Sequence, residues 1–314
     1  MSVMYSLAMA QLYFERVTVS LHTLVKKMDL ETEIINGNIQ NVKELLAHGA
    51  NVEAHNDKGW SPLIIAIQNA RFEIVKLLLE AGANPNPPVE KLAQTGLPLN
   101  LAADMGNVKI LKLLLSHGAN INTTDIEGTS PLHFAVSSLK MTKILIEQGA
   151  NINKCDQDGY TPFTSAIEDG NIKIVKYLVE NGANVNFRNG NSWTPLIKAI
   201  QSDHFEIAKY LIQQGADVDL IDNQGLTPLS TAIEDMSDLE FVRLLVENGA
   251  DVHDLQTVWL PISYAIHYDK PEIVKFLMDN GANLNYRDMD GKKAIEVALD
   301  KDVDDIDMFK MLVI

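Results

Sequence analysis

The stretch Gly59–Asn84, GWSPLIIAIQNARFEIVKLLLEAGAN, holds one complete structural unit. Ser61-Pro62 reads as a helix start. The hydroxyl can cap, and proline is tolerated at the first helical position, where its missing N–H is no loss. A short apolar helix follows. A second helix carries Ile74, Val75, Leu78 and Leu79, a spacing that gathers them on one buried face. Gly82 stands where a left-handed residue ends such a helix. The segments between units, such as NVEAHNDKG and NINKCDQDG, have the Asn, Asp and Gly content of tight turns.

Outward from this stretch the same landmarks return. Gly-Ala recurs at Gly49, Gly82, Gly118, Gly149, Gly182, Gly215, Gly249 and Gly281, at gaps of 33, 36, 31, 33, 33, 34 and 32, and Asn or Asp follows it each time. Proline followed by an apolar residue marks Leu63, Leu99, Leu132, Phe163, Leu196, Leu229 and Ile262 in the same register. The second-helix face returns as Ile174, Val175, Leu178, Val179 and as Ile273, Val274, Leu277, Met278. Two landmarks in register define a repeat array.

The first-helix motif stands as SPLHFA at Ser130–Ala135, TPFTSA at Thr161–Ala166, TPLIKA at Thr194–Ala199 and TPLSTA at Thr227–Ala232. With its 33-residue period this resembles the ankyrin repeat. The wording of KILIEQGANINKCDQDGYTPF is similar to microbial members of that family. The resemblance implies an all-α solenoid of helix-turn-helix repeats joined by hairpin-like turns. Residues 27–314 read as nine repeats, the first and last atypical, with Leu30 and Ile295 at the landmark positions. Residues 1–26 read as a helical cap over the first repeat, or as a segment that meets a partner or a membrane. The ninth repeat stops at MFKMLVI. That end packs onto repeat eight or stays an apolar patch for a partner, a missing segment or a second copy.

Two departures from the period stand out. Three extra residues fall within NPNPPVEKLAQTG, before Leu99, as a neutral loop extension or as part of a binding face. Between Leu132 and Gly149 two residues are missing. The helix pair of the fourth repeat should be shortened and the stack kinked there.

Charge bounds the partner. The chain has 26 basic and 42 acidic side chains, a net charge of −16. This argues against nucleic acid and anionic membranes, and favours basic proteins. No apolar run is long enough to span a membrane. MSVMYSLAMAQLYF lacks the basic flank of a secretory signal. Cys155 is the single cysteine, which excludes an internal disulfide and suits the cytoplasm.

In the ankyrin fold the turn tips and first helices line the concave side. The residue three before each landmark falls there: Trp60, Gly96, Thr129, Tyr160, Trp193, Leu226, Trp259 and Lys292. All three tryptophans occupy this position. They are binding anchors, or each ring covers its neighbouring turn. Five and six residues after the landmark stand Asp104, Glu168, Asp169, Glu234, Asp235, His267 and Tyr268, among others, with Asp203, Asp238 and Asp269 nearby. Carboxylates beside aromatic rings suit Lys- or Arg-bearing segments.

Signatures of catalysis, phosphate binding and metal binding are missing. His48 and His117 each precede a Gly-Ala, and His133 is the histidine of the repeat motif. All three read as structural. Cys155 in a turn reads as non-catalytic. DKDVDDID, Asp300–Asp307, has Asp305 where a calcium-binding EF-hand loop needs glycine. It reads as a solvated acidic loop. The expectation is a monomeric, non-catalytic, cofactor-free module that binds a partner protein, as an inhibitor of the immunity kind or a host-directed effector. The alternatives are the substrate-targeting subunit of an enzyme complex and a self-associating structural protein.

Overall fold

The structure is a computed structural model, and it describes residues 29–88, 96–188, 193–235, 239–253, 259–300 and 312. The readings of residues 1–26, of most of the proline-rich insertion, of residues 301–307 and of nearly all of MFKMLVI lie outside the described residues.

The described chain is all-α, apart from one short 3-10 turn, and falls into two compact units. The first holds repeats one to four: α1 (Leu30–Asn36) with α2 (Ile39–Ala47), α3 (Pro62–Gln68) with α4 (Phe72–Glu80), α5 (Pro98–Asp104) with α6 (Val108–Ser116), and α7 (Pro131–Phe134). Helix α8 (Leu139–Glu147) completes repeat four, and the division between the units passes through it, at Val136–Thr142. The second unit continues with α9 (Pro162–Glu168), α10 (Ile172–Glu180), α11 (Pro195–Gln201), α12 (Phe205–Gln213), α13 (Pro228–Asp235), α14 (Leu239–Glu247), α15 (Pro261–His267), α16 (Pro271–Asp279) and α17 (Ala294–Asp300). In each unit first helices stack on first helices, as in α1–α3–α5–α7 and α9–α11–α13–α15–α17. Second helices form a parallel row, α2–α4–α6 in the first unit. No described helix is long and apolar enough to cross a membrane.

Local chemistry explains the elements. Ser61 accepts the Ile64 N–H and Pro62 is the first residue of α3. Thr161 and Thr194 cap α9 and α11 in the same way. At the other end of the unit Gly82 has φ +93°. This allows the Ala83 N–H to reach the Leu78 carbonyl at 2.9 Å and the Gly82 N–H the Leu79 carbonyl at 3.1 Å, a left-handed helix stop. Ile74, Val75, Leu78 and Leu79 are buried as their spacing requires. In the later repeats the inner three positions are buried, while Val179 and Met278 lie half-buried at the edge. His48 and His117 bond through Nδ1 to the Glu44 and Leu113 carbonyls at 2.7 and 3.0 Å. The His133 Nδ1 accepts the Ser130 N–H at 3.1 Å. All three histidines serve the fold.

The deletion in repeat four is taken by its first helix. Helix α7 has 4 residues and runs into a 3-10 turn at Ala135–Ser137, whereas α8 keeps 9.

The repeats are also tied at their turn tips. Asn86, Asn153 and Asn186 each stand two residues after the Asn of a Gly-Ala-Asn. Each carboxamide accepts the N–H of the corresponding Asn or Asp one repeat on, at 2.7, 3.4 and 2.8 Å. Each donates Nδ2 to the next repeat's Gly-Ala glycine carbonyl, at 2.8, 3.3 and 3.0 Å. Asn86 lies at the start of the proline-rich segment and keeps its rung there.

Candidate functional site

In five described repeats the residue three before the landmark is held by a four-residue loop. In repeat two the Asn56 Oδ1 accepts the Lys58 and Trp60 N–H groups at 3.0 and 2.9 Å, and the Asn56 N–H donates to the Trp60 carbonyl. Asp125, Asp156, Asp222 and Asp288 do the same for Thr129, Tyr160, Leu226 and Lys292. The first helix follows at once, opened by proline except after Lys292. In these repeats the loop therefore presents one side chain beside the start of that helix.

In the first unit Trp60 is half-buried, with the Lys58 ammonium 4.9 Å from its ring centroid. It borders a shallow hollow with Asp29, Glu31, His55 and Ile65. Asp104, at the end of α5, is exposed.

The second unit collects the other predicted residues into two clusters. In one, Tyr160 and Trp193 meet edge to face, with centroids 6.2 Å apart. The Lys198 ammonium, in the middle of α11, lies 5.2 and 5.7 Å from the two rings and 2.6 Å from the Glu168 carboxylate. Lys198 is only 9 % exposed. The cation expected from a partner is supplied here by the chain itself. Asp169, next to Glu168, is exposed.

In the other cluster Trp259 packs against His267 and Tyr264, with centroids 4.5 and 5.3 Å away. Its Nε1–H donates to the Asp290 carboxylate at 3.0 Å. Tyr268 stacks on Tyr264 and donates its hydroxyl to Glu234 at 2.6 Å. Burial, with Glu234 and Asp222 nearby, pushes the Tyr264 hydroxyl up to about 12. Asp235 ends α13, and its side chain lies outside the described residues, as does Asp238. Beside Trp259 and His267 opens a cleft also lined by Asp288, Asp290, Lys292, Val297 and Asp300. Lys292 is paired with Asp300 at 2.7 Å, and that bond holds its ammonium above the ordinary lysine value.

Sequence reasoning placed the aromatic position but missed Lys198, Tyr264, Asp288 and Asp290. A lysine inside the apolar run PLIKAI was the available signal for Lys198. The Asn or Asp four residues before Trp60 and Tyr160 was the signal for the loop. Among the described residues no group of three or more His, Cys, Asp or Glu is arranged to hold a metal ion. The Cys155 thiol is pushed up by burial and by the adjacent Asp156, the opposite of an activated nucleophile.

Comparison with known proteins agrees with this architecture. The family "Ankyrin repeats (3 copies)" matches residues 32–89, 99–189 and 183–256, and "Ankyrin repeats (many copies)" matches 245–298. The mitochondrial disaggregase of Bos taurus is 45% identical over 49 residues, 16% of this chain and 7% of that protein. The ankyrin repeat, SAM and basic leucine zipper domain-containing protein 1 of Mus musculus is 39% identical over 67 residues, 21% of this chain and 14% of that protein. Ankyrin repeat and SOCS box protein 3 of Homo sapiens is 31% identical over 96 residues, 31% of this chain and 18% of that protein. The chain thus spans under a fifth of the length of these relatives. The crystal structure of the ankyrin repeat domain of Bcl-3 superimposes with a TM-score of 0.62 at 24% identity, over 70% of this chain and 98% of that one. With most of its length matched and its helix pairs repeating in the same register, the chain belongs to the ankyrin repeat family.

Proposed function

We propose that the chain is a non-catalytic interaction module that binds a partner protein with a basic segment, through the face formed by its turn loops and first-helix ends. One observation carries the reading: Trp60, Trp193 and Trp259 recur at a single repeat position, all half-buried. Large rings kept partly in water are the residues that interfaces exploit. Glu168, Asp169, Glu234 and Asp290 beside them would steer a cationic partner, since net charge −16 sets the long-range field.

The test is capture with the intact chain and with a W60A/W193A/W259A variant. Any captured protein is then purified and its affinity measured directly. The variant should keep its helical circular dichroism and lose the partner. Unchanged affinity removes the aromatic face from consideration, and affinity that rises with salt removes the electrostatic part.

One observation favours a second reading, that of a targeting part of a larger assembly. The chain matches 14% and 18% of two relatives, whose names carry further modules. The length of the native polypeptide in its source cell, read by mass spectrometry, separates the two.

A further inference from the structure

The two clusters of the second unit occupy equivalent slots between successive repeats. In the slot between repeats five and six, Tyr160 and Trp193 form the walls, Glu168 closes one end, and Lys198 fills the space. Counted from the landmarks, the slot between repeats eight and nine has Trp259 for Tyr160, His267 for Glu168 and Lys292 for Trp193. Val297 stands where Lys198 stands. A valine cannot deliver an ammonium, and a cleft opens there, bordered by Val297 itself.

This cleft has an excess of anions. Asp288, Asp290 and Asp300 line it with one cation, Lys292, which Asp300 engages. Asp288 is 8 % exposed. Its Oδ1 accepts the Lys292 N–H at 2.9 Å, while its Oδ2 is buried and has no hydrogen-bond partner among the described residues. A buried carboxylate oxygen without a donor is a costly arrangement that a suitable ligand relieves. The indole of Trp259 supplies a flat apolar wall beside it.

Resting on the interaction-module reading above, we infer that this cleft is the seat of an arginine side chain from the partner, which takes the place that Lys198 fills three repeats earlier. A guanidinium is flat enough to lie along the indole. It carries five donors, enough to serve Asp288 Oδ2 and the neighbouring carboxylates together, which a lysine ammonium on a flexible stem does less well.

The full chain is titrated with the blocked peptide acetyl-Gly-Arg-Gly-amide, with its citrulline and lysine counterparts, and with calcium chloride, by calorimetry and tryptophan fluorescence. The arginine peptide should bind saturably, roughly tenfold or more tighter than the citrulline peptide, the effect of one charge-assisted contact. D288N should lose about that factor. It should also stay folded, because Asn56 fills the same loop position in repeat two with the same backbone bonds. K76A, on α4 in the other unit and paired with Glu80, should bind the peptide as the parent does. No saturable arginine binding, equal affinity for citrulline or lysine, an unaffected D288N, or a response to calcium alone each overturns the inference. Partner capture is a separate readout. Capture that depends on the tryptophans without arginine binding sinks only this inference, and loss of both sinks the interaction reading as well.

Discussion

At residue 219 the rung that ties the turn tips is an aspartate, and D219N should make the protein more stable at neutral pH. Asn86, Asn153 and Asn186 each accept a backbone N–H from the next repeat and donate to a glycine carbonyl there. The Asp219 Oδ1 accepts the Asp251 N–H at 2.9 Å, but an ionised carboxylate has nothing to donate to the Gly249 carbonyl. Burial raises the Asp219 carboxyl above its ordinary 3.8, and the charges of Asp217 and Asp251 add to this against the opposing Asp251 N–H. Asparagine keeps the accepting oxygen, adds the donor and removes the charge. A new neutral hydrogen bond at an exposed rim contributes about 0.5–1 kcal/mol net. Relief of repulsion adds about a few tenths after screening by solvent. The sum is about 1 kcal/mol. Because the folded carboxyl is held above its unfolded value, this group favours the fold when protonated. That contribution is full below the ordinary carboxylate pKa and is lost as pH rises through the raised one. The advantage of D219N therefore stands at about pH 7 and shrinks toward about pH 4. Urea unfolding at both pH values measures it, with hydrogen exchange at the Asp251 amide as the local readout. D219A, which removes the charge without adding a donor, should recover only the smaller part. A D219N gain that is zero at pH 7, or equal at both pH values, refutes the rung argument.

Other substitutions test other joints. Ser263 is fully buried and its hydroxyl has no partner among the described residues, because Leu260 stands where Thr227 bonds Ser230 at 3.2 Å. S263A should therefore stabilise by about 0.5–1.5 kcal/mol and S230A should destabilise by a similar amount in thermal unfolding. Ala70 holds φ +53° where Gly37, Gly106 and Gly170 stand in other repeats, so A70G should gain about 0.5–1 kcal/mol. G170A should lose about 1–3 kcal/mol, since its Cβ would lie 2.6 Å from the His204 ring. Cys155 should react with a maleimide more slowly than free cysteine at pH 7.5, a stopped-flow comparison that a faster rate would contradict, since burial raises its pKa. K198V should open the slot between Tyr160 and Trp193 and raise the stoichiometry of the arginine peptide toward two, which calorimetry reads directly.

How much of this was written in the sequence follows the range of each interaction. The caps at Ser61 and Thr161, the stop at Gly82 and the buried faces on α4, α10 and α16 depend on neighbours within four residues, and they are legible as local pattern. The missing two residues before Gly149 were legible as a shortening. Their assignment to α7 was not, because both helices of the pair had room to lose them. Lys198 shows the limit most clearly. Its partners Glu168 and Tyr160 lie 30 and 38 residues away. A helix-interior lysine reads as solvent-facing until the neighbouring repeat is laid against it. Ala70, Asp203 and Asp269 in left-handed turns were hidden for a related reason. Their conformation is imposed by the helix pair they join and contradicts their own preference.

The same division separates what the repeats share from what each can bind. The glycine stop recurs in eight repeats, the proline start in seven and the Asn or Asp loop in at least five described ones, so they confer register and no selectivity. Variation includes the wall residue three before the landmark and the residue two after it, which fills the slot. In the second unit that filler is Lys198 between repeats five and six, Tyr264 between seven and eight, and Val297 between eight and nine. The lysine neutralises Glu168, and the tyrosine packs its ring against Trp259. Only the short valine leaves charged walls standing open among these three. On a scaffold whose helix pairs repeat, a ligand-accepting position arises by shortening one internal side chain.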